Sequence, residues 1–519
     1  MATCTWVGGA SGDTTNWNNS GNWSTSGAPT RVPTSADNVI IPNVTHDPTI
    51  PDGLNPTVLS IEVQSSAQLT CGNNTITCTN ESTDYAFSVS GTLVPNTSTV
   101  VISNIGSDTY IKVDNGTLHN LTINSSGDEV KAASNLTLGG NLTITAGELD
   151  ILTRDLTVTG NIDVDGGNLT INDSAVSCAK LIVESGDTIT AAHSSNALTV
   201  TGAGIGNNRS IDFTGAISGT LDIITTHSGT REDDLSASSG IVNHLTVNHA
   251  DAVMRMNAAY TVGSLTITAG QFSTADAGGS SKALTVNGEV NVAGTLTCNS
   301  SACSFGSLDS TGLTNLADSS GSTLITNENS DGLSIVAGTY STCVPAKIKH
   351  NNGTVTFNNH SDPAAHAAIV CGNSNATDGL YNVIIDGANT VVDTYDPGGS
   401  GQECKIHNNF TVTNGSFQVN SASNPFDVGG DVLVSAGKMF GDAAAPTGAM
   451  SFGSLTIESG ATFRATSGTT TITSENGSGF AINHDGTFTH NNGTVTVTTA
   501  ATTKMDLNGT GNLYNLIIN

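Results

Sequence analysis

Between residues 135 and 186 the chain runs in short bursts of alternating apolar and polar positions, "NLTLGGNLTITAGELDILTRDLTVTGNIDVDGGNLTINDSAVSCAKLIVESG". Gly, Asn or Asp separates each burst from the next. Alternation of this kind marks strands with one buried face. The apolar residues that lead the bursts are Leu136, Leu142, Leu149, Leu156, Ile162 and Leu169, at successive steps of 6, 7, 7, 6 and 7 residues. Leu136 to Leu156, Leu142 to Ile162 and Leu149 to Leu169 are therefore each 20 residues apart. Three short strands per 20 residues describe one turn of a coil, and successive turns stack at the spacing of neighbouring strands, about 4.8 Å. Leu then stacks on Leu and Ile on Ile inside, while the alternate Thr and Asp residues point to water. The pattern predicts an all-β chain folded as an elongated parallel β-helix (β-solenoid), with about 20–22 residues and three short strands per coil. The six residues named are its expected interior rungs. Some 22 coils at that spacing would make a rod about 100 Å long.

A second, longer period lies above the first. The stretches "GTLHNLTIN", "GIVNHLTVN", "GLYNVIID" and "GNLYNLIIN" carry the anchors Leu121, Leu245, Val383 and Leu516, separated by 124, 138 and 133 residues. "GNLTITAGELD" at 140 returns as "GSLTITAGQFS" at 263, and "HNNGTVTF" at 350 as "HNNGTVTV" at 490. The implied organisation is a Trp-rich cap over 1–45, first solenoid coils over 46–115, super-repeats over 116–239, 240–378 and 379–510, and the start of a further one over 511–519. In that last piece Leu513, Leu516 and Ile518 repeat the inward positions of Leu118, Leu121 and Ile123, so an exposed terminal rung is expected there. A bare coil end invites strand pairing, which leads us to expect more super-repeats beyond Asn519 or a partner that covers it.

Composition agrees with this fold. Charged residues are 11% of the chain, aromatics 4%, and Gly is 58 of 519. Helix formers are scarce among so many strand and turn residues. A net charge of −29 makes the chain a poor counter-ion for phosphate, so direct nucleic-acid contact is not expected. Self-repulsion between copies is the simpler use of that charge. The apolar runs are too short to span a bilayer as helices. The opening "MATCTWVGGASGD" has neither a basic nor an apolar signal region and does not read as a leader. The nine cysteines, Cys4, Cys71, Cys78, Cys178, Cys298, Cys303, Cys343, Cys371 and Cys404, are odd in number and lack zinc spacing. Several occupy strand slots that Thr or Val would fill, and they read as structural thiols, with a disulfide framework as the alternative.

All three tryptophans, Trp6, Trp17 and Trp23, fall in the first 45 residues. They can plug the open end of the first coil or offer stacking platforms to a sugar, and the plug is the preferred reading. "VPTSADNVIIP" then delivers a first regular strand at Val39 to Ile41. The order of these elements, W-x-G-G, N-W, N-W and V-P-T-S-A-D-N-V, resembles the start of tailed-bacteriophage virion proteins such as tail fibres. Repeats like those that follow also occur in bacterial surface adhesins. The resemblance implies a structural or host-contacting role and brings no catalytic residues with it.

Candidate chemistry is sparse. Asp163 and Asp165 alternate with Ile162 and Val164 and read as a solvated outer face. "REDD" at Arg231–Asp234 reads as a solvated loop. The recurring "HNNGTV" at His350 and His490, with His484 near the second copy, reads as a turn in which Asn-Gly supplies positive φ and His caps it, rather than as a metal site. No hydrolase, zincin or nucleotide-binding motif is present. The reading is a non-enzymatic structural or adhesive virion protein (fibre, spike or decoration) without cofactor or metal. Its partners would be other virion proteins, its own copies, or a host-surface glycan or protein. The alternative is a secreted surface adhesin or extracellular filament subunit, and a polysaccharide-degrading tailspike or lyase ranks below both.

Overall fold

The structure, a computed structural model, describes residues 2–27, 29–79, 85–202, 209–327, 334–339, 342–358, 367–370, 376–395, 403–419, 425–435, 438–441, 446–499 and 502–519. About 56% of the chain is strand, and in each of two units parallel coils stack as a β-solenoid, about 19 turns in all among the described residues. The described helix is confined to two short 3₁₀ segments, Ser20–Asn22 and Pro345–Lys347. The chain packs as two units, 1–245 and 246–519, and the division falls inside "GIVNHLTVN".

In the first unit each coil contributes to three parallel ladders. One runs through Leu121, Leu142, Ile162, Leu181 and Ile211. A second runs through Val130, Leu149, Leu169, Ile189 and Ile217. The third runs through Leu136, Leu156, Val176, Leu198 and Ile223. Every one of these side chains is buried. The six residues with the 6-7-7 spacing thus pair two by two, one pair in each ladder. Thr and Asp alternate with them on the outer side, where Thr137 and Thr157 pair in the open.

The second unit repeats the arrangement with other residues. A single column passes through Tyr260, Leu284, Cys303, Thr323, Val355, Val383, Phe410, Val432, Leu455 and Ile482. Another passes through Cys404, Phe426, Met450, Thr470, Val495 and Leu516. Cys303 stands in a Leu slot, as a small apolar residue can. The phenylalanines look scattered along the chain but converge inside this unit. Phe410, Phe417, Phe426, Phe440, Phe452 and Phe463 stand in successive ring contacts, with neighbouring centroids 4.7 to 6.0 Å apart. Such contacts add to the burial that each ring already provides.

Coil length is less regular than the 20 to 22 residues expected. It is 19 from Ile162 to Leu181 and 32 from Thr323 to Val355. The ladder constrains the strands but not the bends, so extra chain collects at the corners. The 32-residue coil holds the strand Ile335–Thr339, which continues the parallel ladder from Leu308, Asp309 and Ser310 and at Gly338 and Thr339 pairs antiparallel with Thr342–Cys343. The cap also differs from the expected loop. Residues Ala2–Trp6 form a strand parallel to Asp37–Ile41 and antiparallel to Trp23–Thr25, so regular pairing begins before Val39.

Stability should follow this in–out pattern. Leu142→Asp places a charge among fully buried apolar groups and is expected to cost about 3 kcal/mol or more. Thr137→Lys on the open face should stay within about 1 kcal/mol. Urea unfolding of the two variants checks this, and equal losses would contradict the assignment of faces.

Candidate functional site

The cap tryptophans are wholly inside. Trp6, Trp17 and Trp23 are 0%, 0% and 1% exposed. Trp23 packs edge-on against both others, at 4.9 and 4.7 Å between centroids. Trp6 Nε1 donates to the His46 carbonyl at 2.6 Å, and Trp23 Nε1 to the Trp17 carbonyl at 2.8 Å. None of the three presents a ring face to a ligand. Nearby, the buried Asp37 is clamped by the Arg31 guanidinium, whose hydrogen bonds hold its carboxyl far below the usual range.

Asp163 and Asp165 lie on the outer side, but Asp163 is half-buried rather than solvated. Burial first, then repulsion from Asp165 and Asp187, raises its pKa against the pull of Lys180. Glu184 is raised mainly by Asp165, with Asp163, Asp187 and Asp212 adding to it. Coil stacking therefore gathers five carboxylates from segments that looked independent. Beside them a groove of about 420 Å³ opens on the surface. Its floor is Gly127, Gly147, Gly166, Gly167 and Gly186, and its walls include Asp108, Asp128, Glu129, Glu148 and Asp187. At Gly147, Gly166 and Gly167 a Cβ would stand 2.0, 2.5 and 2.6 Å from a carbonyl oxygen of the preceding coil, whereas Gly127 and Gly186 have open space and are accounted for by their positive φ of +90° and +107°. Lys131 pairs with Asp108 at 3.0 Å and Glu129 at 2.8 Å. The recurring Gly at the corner of "SSGDE", "TAGEL", "DGGNL" and "SGDT", followed closely by an acid in three of the four, was the available signal for this groove. No group of three or more His, Cys, Asp or Glu among the described residues is arranged to hold a metal ion.

"REDD" is not a solvated loop. Arg231, Glu232 and Asp233 belong to the strand Gly229–Asp233, and Asp233 and Asp234 are 0% and 7% exposed. Asp233 Oδ1 accepts from Ser210 N at 2.7 Å, Ser210 Oγ at 2.9 Å and Ile211 N at 2.7 Å. Its Oδ2 lies 3.9 Å from Nε2 of the fully buried His227. The carboxylate thus serves the backbone donors at the start of a strand one coil earlier, which no local pattern reveals. Burial outweighs these hydrogen bonds and pushes its pKa up to about 6.

The two "HNNG" stretches are turns of one design. His350 and His490 accept the amides of Asn352 and Asn492 at Nδ1, at 2.9 and 2.8 Å. Asn351 and Asn491 donate to the carbonyls of Leu316 and Ala465 on the preceding coil. The positive φ expected of Asn-Gly falls on the two asparagines, at 47° and 60° in the first copy and 47° and 62° in the second. The glycine is required for space, because a Cβ at Gly353 would lie 1.9 Å from the Ala317 carbonyl oxygen. His350 also meets the Ala376 carbonyl through Nε2 at 3.0 Å, so both ring nitrogens are engaged. Each ring packs on a tyrosine of the next coil, His350 on Tyr381 and His490 on Tyr514. His484 is buried, with Nε2 3.2 Å from the Thr510 carbonyl, and burial lowers its pKa.

Cys4, Cys71, Cys78, Cys178, Cys298, Cys303 and Cys404 are buried free thiols. Burial pushes Cys71, Cys78 and Cys178 up to about 12, which suits inert core residues. Cys371 and the side chain of Cys343 lie outside the described residues. At the far end, Leu516 and Ile518 pair with Val495 and Val497 and are 41% and 67% exposed, with Leu513 half-buried. The chain matches no protein-family model, no curated protein and no solved structure.

The Asp233 carboxyl makes a pH-dependent prediction. Its pKa rises from about 4 in an unfolded chain to about 6 in the fold, so the folded state holds the proton more tightly. That contribution is present below pH 4 and is lost as the pH climbs through 6. Asp233→Asn keeps an acceptor for the three donors and removes the ionisation. It should match the wild type near pH 4 and exceed it by about 2 kcal/mol at pH 7.5, as read from urea midpoints. A difference that did not change with pH would contradict this assignment.

Proposed function

We propose that this β-helix is a non-enzymatic structural and adhesive protein, acting as a fibre, spike or decoration of a virion. The observation that carries the proposal is the continuity of the apolar ladders in each unit. A fold built this way spends its sequence on stacking and offers outer faces of short Thr, Asn and Ser side chains, a design suited to presenting a surface. The likeness of its Trp-rich start to virion proteins supports the particle over the extracellular filament. Among the partners, other particle proteins, further copies and a host-surface glycan or protein all fit an outer face of this kind.

Antibody labelling tests the setting. Gold particles should decorate purified virions, and labelling restricted to the bacterial surface would favour the adhesin. Incubation with neutral and acidic bacterial polysaccharides tests the chemistry, and no reducing ends or unsaturated sugars should appear. A degrading activity is the second reading, favoured by the carboxylate groove and the raised Asp163. Turnover abolished by Asp163→Asn together with Asp187→Asn would establish it in place of the first.

A further inference from the structure

The first unit has a second cavity of about 420 Å³ that shares no lining residue with the carboxylate groove. It sits over the outer face of four consecutive parallel strands, Ala2–Trp6, Asp37–Ile41, Ser60–Val63 and Tyr85–Val89. Register sets Asn38 beside Ser60, Ile40 beside Glu62, and Glu62 beside Ser88. The alternation that sends Val39 and Ile61 inward turns Asn38, Ile40, Ser60, Glu62 and Ser88 outward. Two features depart from the Thr and Asn usual on such faces. Ile40 is an outward aliphatic residue, and Tyr85 is 41% exposed. The Tyr85 ring is steadied from the next coil by Tyr110, with centroids 5.6 Å apart and planes at 47°.

We infer that this cavity is a binding site for a neutral saccharide. Its volume falls in the range of small-ligand sites, about 300–1,000 Å³. Sugars have an apolar C–H face and a rim of hydroxyls, and they need both kinds of surface at once. The exposed Tyr85 ring and Ile40 supply the apolar side, and Tyr presents such area with a polar tip. Asn38, Ser60, Ser88 and Glu62 supply the polar side. Ser60 Oγ donates to Asn38 Oδ1 at 2.8 Å, which fixes the amide and turns its N–H donors to other use. Gln64 Nε2 holds Glu62 Oε1 at 3.2 Å, positioning a carboxylate that accepts from sugar hydroxyls. Glu62 is the one charged residue on the described wall. Uronates and other acidic sugars meet its repulsion and that of a chain carrying −29, so the ligand class is neutral hexoses and N-acetylhexosamines.

This deepens the adhesive part of the proposed function by naming a ligand class and a place for it. Saturation-transfer NMR on the full chain tests it with cellobiose, lactose, N,N′-diacetylchitobiose and digalacturonic acid. The three neutral probes distinguish glucan-like, galactoside and amino-sugar sources. At least one should show saturable transfer, and digalacturonic acid should show none. Tyr85→Ala should weaken that binding about tenfold. Glu62→Gln, a change at an exposed position, should weaken it several-fold and leave the melting temperature unaltered, which separates lost binding from lost folding. No transfer from any neutral probe would overturn the inference, as would undiminished binding by both variants or a preference for digalacturonic acid. Absent binding alongside virion labelling would leave the structural reading standing. A disaccharide that bound at Tyr85 and was also cleaved would keep the site and remove the non-enzymatic reading.

Discussion

Each coil of this protein is completed by the coils next to it. The backbone N–H and C=O groups of a coil have few partners within it and find them one turn away, at about 4.8 Å. The same spacing puts each inward side chain directly against its equivalent on the neighbouring turn. Leu142 on Ile162, and Leu149 on Leu169, are the result. Because the ladder is closed laterally by hydrogen bonds, an inward position has little freedom in register. A slip of one residue would turn every apolar group outward. That constraint explains the tight 6-7-7 spacing in the first unit and the tolerance of variable length at the bends, where no rung has to be matched.

The bends are governed by a second requirement, close approach of one coil's corner to the carbonyls of the last. Gly147, Gly353 and Gly493 meet it by having no Cβ, and Asn351 and Asn491 by donating a side-chain hydrogen bond to the carbonyl they approach. A corner lined by glycine is necessarily low relief. Where several stack in a column, as from Gly127 to Gly186, a groove follows from backbone geometry alone. Its acidic walls are a separate matter, set by the residues that flank those glycines.

This separation explains what could be read from the chain and what could not. The rungs were legible because alternation and a 20-residue period act over short distances and repeat many times. The "HNNG" turns were legible as turns with positive φ at Asn-Gly, which Asn352 and Asn492 carry, but only the neighbouring carbonyl shows that the glycine is there for space. Asp233 was misread because its three donors belong to Ser210 and Ile211, a coil away. The phenylalanines looked dispersed because consecutive contacts connect residues 7 to 14 positions apart. In each failure the deciding contact lay one turn away, and variable coil length hid which residue that was.

The same geometry decides where specificity can reside. Inward positions are committed to stacking, and corners to close approach, so recognition is left to outward side chains on the faces. There the ladder makes neighbours of residues roughly one coil apart in sequence, which has a cost when they carry like charge. Two carboxylates on adjacent coils at about 4.8 Å repel by about 1 kcal/mol even in water, and more when half-buried. Asp163, Asp165, Glu184, Asp187 and Asp212 accept that repulsion; the raised Glu184 records it, and at Asp163 it adds to the larger effect of burial. The outer face around Tyr85 is built differently, with one carboxylate, one amide, hydroxyls and two apolar groups drawn from successive coils. A like-charged column weakens the stack that creates it, whereas a mixed one leaves the stack intact and differs from its surroundings in more than charge. On physical grounds the mixed face can therefore be the more selective of the two without loss of stability.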